Sequence, residues 1–321
     1  MTGGSSGYSD KVCIRRCAGY SRELVRERLI SLIDGLGGID NFVRRGDRVL
    51  IKPNLILPQG PQTPAQTHPA VIVETARLLL DAGARPFVGD SSAWSSAPRC
   101  VEALGILDEL KDMGVETVSL GKPVKIRLEG CDARPYVSRY ALEADRIFNL
   151  AKLKAHQQMV FSCAVKNMYG VMTDKRKSLW HYRKGHSLSE FSGFVIALHM
   201  SVRPTLNIVD AVISMHGQGP IRGSGIDTGF LAAGENAFTC DLACSGLVGY
   251  KPDEIPILKE AQTMGLLPEY GECETDSDLP RDYSCPDFTK AEQTPLRFTL
   301  PRIIKSVMRQ ALIMLHLKKG G

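Results

Sequence analysis

Apolar positions along this 321-residue chain fall into short runs and helical stripes that alternate from near the start to about residue 268. Lys11 to Arg16 alternates weakly and predicts a first strand. From Ser21 to Leu36 the apolar residues Leu24, Val25, Leu29, Leu32 and Ile33 recur at helical spacing, with Ser21 placed to cap the helix and Gly37-Gly38 to stop it. Arg48 to Lys52 is a compact apolar run halted by Pro53-Asn54, as for a buried strand that ends in a loop. Val71 to Ala82 predicts a helix closed by Gly83, and Arg85 to Gly89 the next strand. Further helices are predicted over 100–111, 159–168, 188–200, 236–248 and 254–265. Further strands are predicted over 115–120, 125–128, 146–151, 205–212 and 230–233. Strand and helix in alternation predict an α/β fold, a mostly parallel sheet flanked by helices.

The pattern divides the chain into four parts. Residues 1–10 are Gly/Ser-rich and predict a disordered lead-in. Residues 11–268 form the α/β body. Residues 269–297 are acidic and proline-bearing, with Glu272, Glu274, Asp276, Asp278 and Asp282 crowded together, and predict a surface loop. In 298–321, apolar residues at 300, 303, 304, 307, 308, 311, 312 and 315 make an amphipathic helical stripe. Such a helix docks on the body, seals a homodimer, or lies on a membrane surface through residues 298–317.

Composition narrows the function classes. Forty basic and 35 acidic residues give a net charge of +5, and the two signs are interleaved, so no nucleic-acid partner is expected. Lys175-Arg176-Lys177, with Arg183-Lys184, either touches an anion or, on the simpler reading, is a solvated loop. No apolar run approaches the ~20 residues needed to span a bilayer. The first ten residues lack an apolar stretch of the secretory kind, and a cytoplasmic location is the default. Nine cysteines are irregularly spaced without a Cys-x-x-Cys pair. Reduced thiols are expected, no cluster-binding motif is present, and the cofactor is left unknown. No Cys/His set has zinc spacing, so no metal ligands are assigned.

In open parallel sheets, ligands bind beyond the carboxyl ends of the strands. Several polar residues fall at those ends. They are Lys52 and Asn54, Asp90 and Ser91, Lys152, Lys154 and His156, and Asp210 followed by His216 and Gly217. His68 precedes a predicted helix, where it either caps that helix or serves as an acid–base group. Lys152, Lys154 and His156 occupy alternate positions, so an extended backbone points all three to one face. Three basic groups there repel one another unless an anion or carboxylates lie among them. Lys166 and Asn167 close the predicted 159–168 helix. Asp241 sits between Cys240 and Cys244 on a helix and needs a partner, for which Lys166 is the candidate.

Together these segments resemble a known family, domain of unknown function 362. The resemblance rests on Val49-Leu50-Ile51-Lys52-Pro53-Asn54-Leu55, Thr67-His68-Pro69, Gly89-Asp90-Ser91, Asn149 to His156, and Ala164 to Gly170. Residues 234–249, with Asp241, and 254–265 also match, so the resemblance covers roughly residues 11 to 268. Members of that family often carry, or are encoded near, ferredoxin-like iron–sulfur modules. The resemblance therefore implies a body whose electrons, if it is redox-active, come from a separate iron–sulfur protein.

Three functional readings follow. The favoured one is an enzyme of isomerase, racemase or lyase type acting on an anionic small molecule. His156 and His68 are its acid–base pair, and Lys154 and Lys166 its further catalytic groups. Imidazole exchanges protons near neutral pH, and a desolvated lysine among cations becomes a base or Schiff-base former. Lys52, Asn54, Asp90, Ser91, Lys152, Asn167, Asp210, His216, Gly217 and Asp241 would bind substrate. The alternatives are a reductase fed by a ferredoxin-like protein, and a non-catalytic ligand-binding or membrane-surface protein.

Overall fold

The computed structural model describes residues 9–92, 95–173, 176–268 and 273–296. The Gly/Ser lead-in, apart from its last two residues, and the amphipathic stripe at 298–317 lie outside them. In chain order the elements are β1 (Val12–Arg16), α1 (Arg22–Gly35), β2 (Arg48–Pro53), α2 (Pro69–Asp81), β3 (Arg85–Asp90), α3 (Ala97–Ala103), α4 (Leu107–Asp112) and β4 (Glu116–Ser119). Next come β5 (Pro123–Lys125), β6 (Tyr136–Ser138), α5 (Arg139–Leu142), β7 (Arg146–His156), β8 (Val160–Ser162), α6 (Ala164–Asn167) and α7 (Arg176–Arg183). The last are α8 (Leu188–Ser201), β9 (Leu206–His216), β10 (Ser224–Gly234), α9 (Ala237–Leu247), α10 (Pro256–Thr263) and β11 (Thr275–Ser277).

The main sheet has the order β11-β1-β10-β9-β7-β2-β3-β4, with β8 paired to β7. Strands β9, β7, β2, β3 and β4 are mutually parallel, so their carboxyl ends share one edge. β10 and β8 are antiparallel to their neighbours. This is the α/β, mostly parallel architecture that the strand–helix alternation implies.

Alternation along the strands separates two cores. Val49, Ile51, Phe148, Leu150 and Ile208 pack under α1, α2 and α3. Leu50, Ile147, Ala151 and Val209 pack under α6, α8, α9 and α10. Each of the Val, Leu, Ile and Phe side chains among these stabilises the fold by about 1.5–3 kcal/mol. Both faces of β7 are covered, which is why Ile147, Phe148, Leu150 and Ala151 are all apolar without alternation and only Asn149 interrupts them.

Several expectations are corrected. The 159–168 stretch is not one helix. Val160 to Ser162 pairs antiparallel with Lys154 to His156, and only Ala164–Asn167 is α-helical. The open edge of the overlong β7 offers ladder hydrogen bonds that a helix would leave unused, and aromatic Phe161 suits a strand, whereas Val160 enters the pairing at a φ of 64°. That same pairing carries β7 five residues past Ala151. The 100–111 stretch breaks into two helices at Gly105, whose φ is 75°. The 125–128 strand lies earlier, at Pro123–Lys125. β9 and β10 run to eleven residues each because they form one long hairpin. The acidic segment is not all loop: β11 joins β1 in parallel, and Asp276 pairs with Arg15 at 2.8 Å.

Candidate active site

The carboxyl edge of the sheet gathers four lysines around two carboxylates. β7 outruns β2, whose last residue Pro53 pairs with Leu150. The segment beyond it therefore carries Lys152, Lys154 and His156 past the end of its neighbour, all three buried.

Two of the lysines are neutralised. Lys52 at the end of β2 meets Asp90 at the end of β3 with Nζ 2.9 Å from Oδ1. Its Nζ also donates to the Pro53 carbonyl at 2.8 Å. Lys152 lies opposite Asp210 in the β7–β9 ladder, with Nζ 2.9 Å from Oδ2. Burial lowers the pKa of both lysines, and their carboxylate partners oppose that shift. Asp210 also accepts the Tyr20 hydroxyl at 2.7 Å and the His68 backbone N–H at 2.8 Å. Tyr20 in turn accepts from Lys152 at 2.9 Å. The Tyr20 ring stacks on His68 with centroids 3.5 Å apart.

The other two lysines have no carboxylate partner among the described residues. Lys154 donates to Asn54 Oδ1 at 2.6 Å and to the Ala65 carbonyl at 2.7 Å. Burial, then Lys166 and Lys152, push its pKa well below the usual lysine range. Two donated bonds suit an uncharged amine, which then keeps its lone pair. Lys166 on α6 is partly buried, and no hydrogen bond or ion pair holds its Nζ among the described residues. Burial and neighbouring Lys177 bring its pKa down to about 8.

The histidines are held uncharged. His156 Nδ1 accepts the backbone N–H groups of Gln158 and Met159 at 3.1 and 3.3 Å, which places the ring proton on Nε2. Burial, then Lys166, Lys154 and His181, push its pKa well below the usual value. His68 caps α2, its Nδ1 accepting from the Ala70 N–H at 3.2 Å. Burial brings its pKa down to about 4. Neither ring has the near-neutral pKa expected of an acid–base pair. Of the two roles left open for His68, the structure favours the cap.

An amide network ties the strands together beneath the lysines. Asn167 Oδ1 accepts from Asn54 Nδ2 at 2.8 Å, and its Nδ2 donates to Asn149 at 2.8 Å. Thr67 accepts the Asn54 N–H and donates to the Leu150 carbonyl, both at 2.8 Å. Ser91 follows Asp90, and its N–H donates to the Asp90 carboxylate at 2.8 Å. Gly170 lies against the Lys52–Asp90 pair: a Cβ there would come 2.4 Å from Asp90 Oδ1 and 2.5 Å from Lys52 Nζ. Gly170→Ala is therefore expected to lower stability by about 1–3 kcal/mol, as overpacking does. Urea denaturation checks it; an unchanged midpoint would show that the ion pair yields freely.

Three predicted residues lie elsewhere or are partnered otherwise. His216 and Gly217 form the tip of the β9–β10 hairpin. There His216 accepts from the Thr289 N–H at 3.2 Å, and the Gly217 N–H donates to the Thr289 carbonyl at 2.7 Å. Asp241 does not meet Lys166. Its oxygens accept the N–H groups of Ala164 and Val165 at 2.6 and 3.3 Å, because the first turn of α6 presents unpaired donors to α9. Burial raises its pKa to about 7.

Sequence reasoning missed Tyr20, Gly170 and Lys177. Tyr20 stands in a short connection after β1, where nothing in the pattern marks it. Lys177 belongs to α7, not to a solvated loop, and donates to the Ser91 carbonyl. A groove of about 810 Å³, lined by Gln158, Val160, Ser187, Glu260 and Pro295 among others, opens beside the His156 turn; Lys154 and Lys166 do not line it. Among the described residues no three His, Cys, Asp or Glu side chains group as metal ligands.

A family profile described as "Domain of unknown function (DUF362)" matches residues 49–246, from β2 into α9. The chain belongs to the DUF362 family. It is 31% identical over 303 residues to a thylakoid-associated protein of Synechocystis sp., with 94% of each chain covered. Among solved structures it is similar to the lactate racemase apoprotein from Thermoanaerobacterium thermosaccharolyticum at a TM-score of 0.44 and 13% identity. That match covers 73% of this chain and 55% of the racemase, so the chain spans about half of that protein's length. Both lysine–aspartate pairs, Lys154, His156, Lys166 and Asp241 lie inside the DUF362 segment, whereas Tyr20 lies before it. No described helix is long and apolar enough to cross a membrane.

Proposed function

We propose that this DUF362 chain is an enzyme that binds a small organic anion and moves a proton on it, in a reaction of the isomerase, racemase or lyase type. One observation supports this above the others: Lys154 and Lys166 stand among further cations without a carboxylate partner, while Lys52 and Lys152 each have one. A bound carboxylate or phosphate supplies the missing negative charge. A lysine whose basicity is lowered by burial and then by neighbouring Lys166 supplies a base at neutral pH.

In this reading the lone pair of Lys154 takes the proton, and Lys166 faces the anion. The His156 Nε2–H donates a hydrogen bond. Asp90 and Asp210 hold Lys52 and Lys152, while Asn54 and Asn167 set the spacing between strands. The proton-moving role passes from the two histidines to Lys154 because both Nδ1 atoms are committed to backbone N–H groups.

The test is hydrogen exchange in D2O, followed by proton NMR on a panel of 2-hydroxy, 2-amino and 2-oxo acids. The wild-type protein is expected to wash deuterium into the carbon beside the carboxyl or carbonyl group of at least one of them. Lys154→Met, checked for folding by near-UV circular dichroism, is expected to lose that exchange. Exchange at an undiminished rate in the variant, or none with the wild type, contradicts the proposal.

A further inference from the structure

We infer that Lys166 forms an imine with the carbonyl carbon of a 2-oxo acid, which makes that class of molecule the substrate of the proposed proton-moving site. The inference rests on that proposal and goes one step further.

The geometry separates the two uncompensated lysines. Lys154 is 1% exposed, and its Nζ is engaged by Asn54 and Ala65. It has a lone pair but little freedom to reach out. Lys166 is partly exposed, bears no partner among the described residues, and is the cation that acts most strongly on both Lys154 and His156. It is thus partly exposed, unheld, and next to Asn167, which Asn54 joins to the base. Burial and then neighbouring Lys177 favour its uncharged, nucleophilic form, and the cations around the site draw a carboxylate toward it. A carbonyl adjacent to a carboxylate satisfies both features at once.

The chemistry balances without an outside oxidant or reductant. The Lys166 amine attacks the carbonyl carbon and a C–N bond forms. The carbonyl oxygen departs as water, leaving a protonated imine. Lys154 then removes a proton from the carbon next to the imine carbon, and the electron pair moves toward the nitrogen as an enamine. Return of the proton restores the imine, and water releases the acid. The Asn54–Asn167–Asn149 network fixes Lys154 relative to α6, so base and imine keep a set spacing.

The experiment is reductive trapping on the full chain. Protein is incubated separately with glyoxylate, pyruvate and 2-oxoglutarate, reduced with cyanoborohydride, and examined by intact mass and peptide mapping. The expected result is a single adduct on Lys166 with at least one probe, its added mass equal to that of the acid less one oxygen. Lys166→Arg keeps the charge but cannot form the adduct, and it is expected to lose the label while its thermal unfolding is retained. Label confined to exposed lysines, or none with any probe, overturns the imine. Deuterium exchange without an adduct overturns it while leaving the proton-transfer reading intact; loss of both removes the two together.

Discussion

Asp210→Ala is expected to cost about 3–5 kcal/mol of stability, the range for removing one partner of a buried ion pair. Lys152, at 2% exposure, would lose its carboxylate and be left either an unpaired ammonium or, like Lys154, a neutral amine, and the Tyr20 hydroxyl and His68 N–H would lose their acceptor. The cost comes mostly from the stranded lysine, so it should be partly reversible. Adding Lys152→Met to Asp210→Ala removes the unpaired amine and is expected to recover part of the loss. The two single changes should therefore be non-additive by more than about 0.5 kcal/mol. Urea denaturation of the four proteins closes the cycle. Simple additivity would mean that Lys152 is satisfied by Tyr20 or by water, and that Asp210 is needed only for the Tyr20–His68 stack.

The order of elements was legible because each of the longer buried strands and helices carries its own period. The apolar run Val49–Ile51 and the stripe Leu24 to Ile33 need no tertiary knowledge. Lys152, Lys154 and His156 were legible as a group through the alternation of β7. What lies between them was not. Whether a lysine meets Asp90, Asp210 or nothing depends on ladder register between strands that are distant in sequence, and register leaves no local mark. The hairpin at 157–162 was misread for a related reason. Its residues favour neither period strongly, and the deciding influence is the open edge of β7. Tyr20 was invisible because its function is to satisfy Asp210 across the sheet, 190 positions away. Asp241 shows the limit from the other side. Its need for a partner was apparent, but the partner proved to be a helix N-terminus, which no residue type announces.

Asp241 also sets the second large effect, on the pH dependence of stability. Its pKa is raised from 3.8 to about 7, first by burial, with the Cys163 thiol and the N–H groups of Ala164 and Val165 holding it partly down. Between these two values the folded protein binds a proton that the unfolded chain has released. Stability contributed by this group is therefore full below pH ~4 and is lost as pH rises through ~7, by up to ~4 kcal/mol at 1.36 kcal/mol per pKa unit. His68, with its pKa lowered from 6.5 to about 4, acts with the opposite sign, adding stability as pH rises across that window. The raw curve mixes these with His156, which is also held well below its usual pKa, so the informative quantity is the difference from Asp241→Asn, which lacks the titration. Relative to that variant, the wild type is expected to lose ground steadily from pH 4 to 8 in urea denaturation. Parallel curves would mean that Asp241 is ionised throughout and that its bonds to α6 outweigh its burial. The distinction bears on the site because Ala164 and Val165 begin the turn that carries Lys166 and Asn167. A carboxylate grips that turn more firmly than the neutral acid does, so fixing Lys166 in place and keeping the fold most stable favour opposite ends of the same pH range.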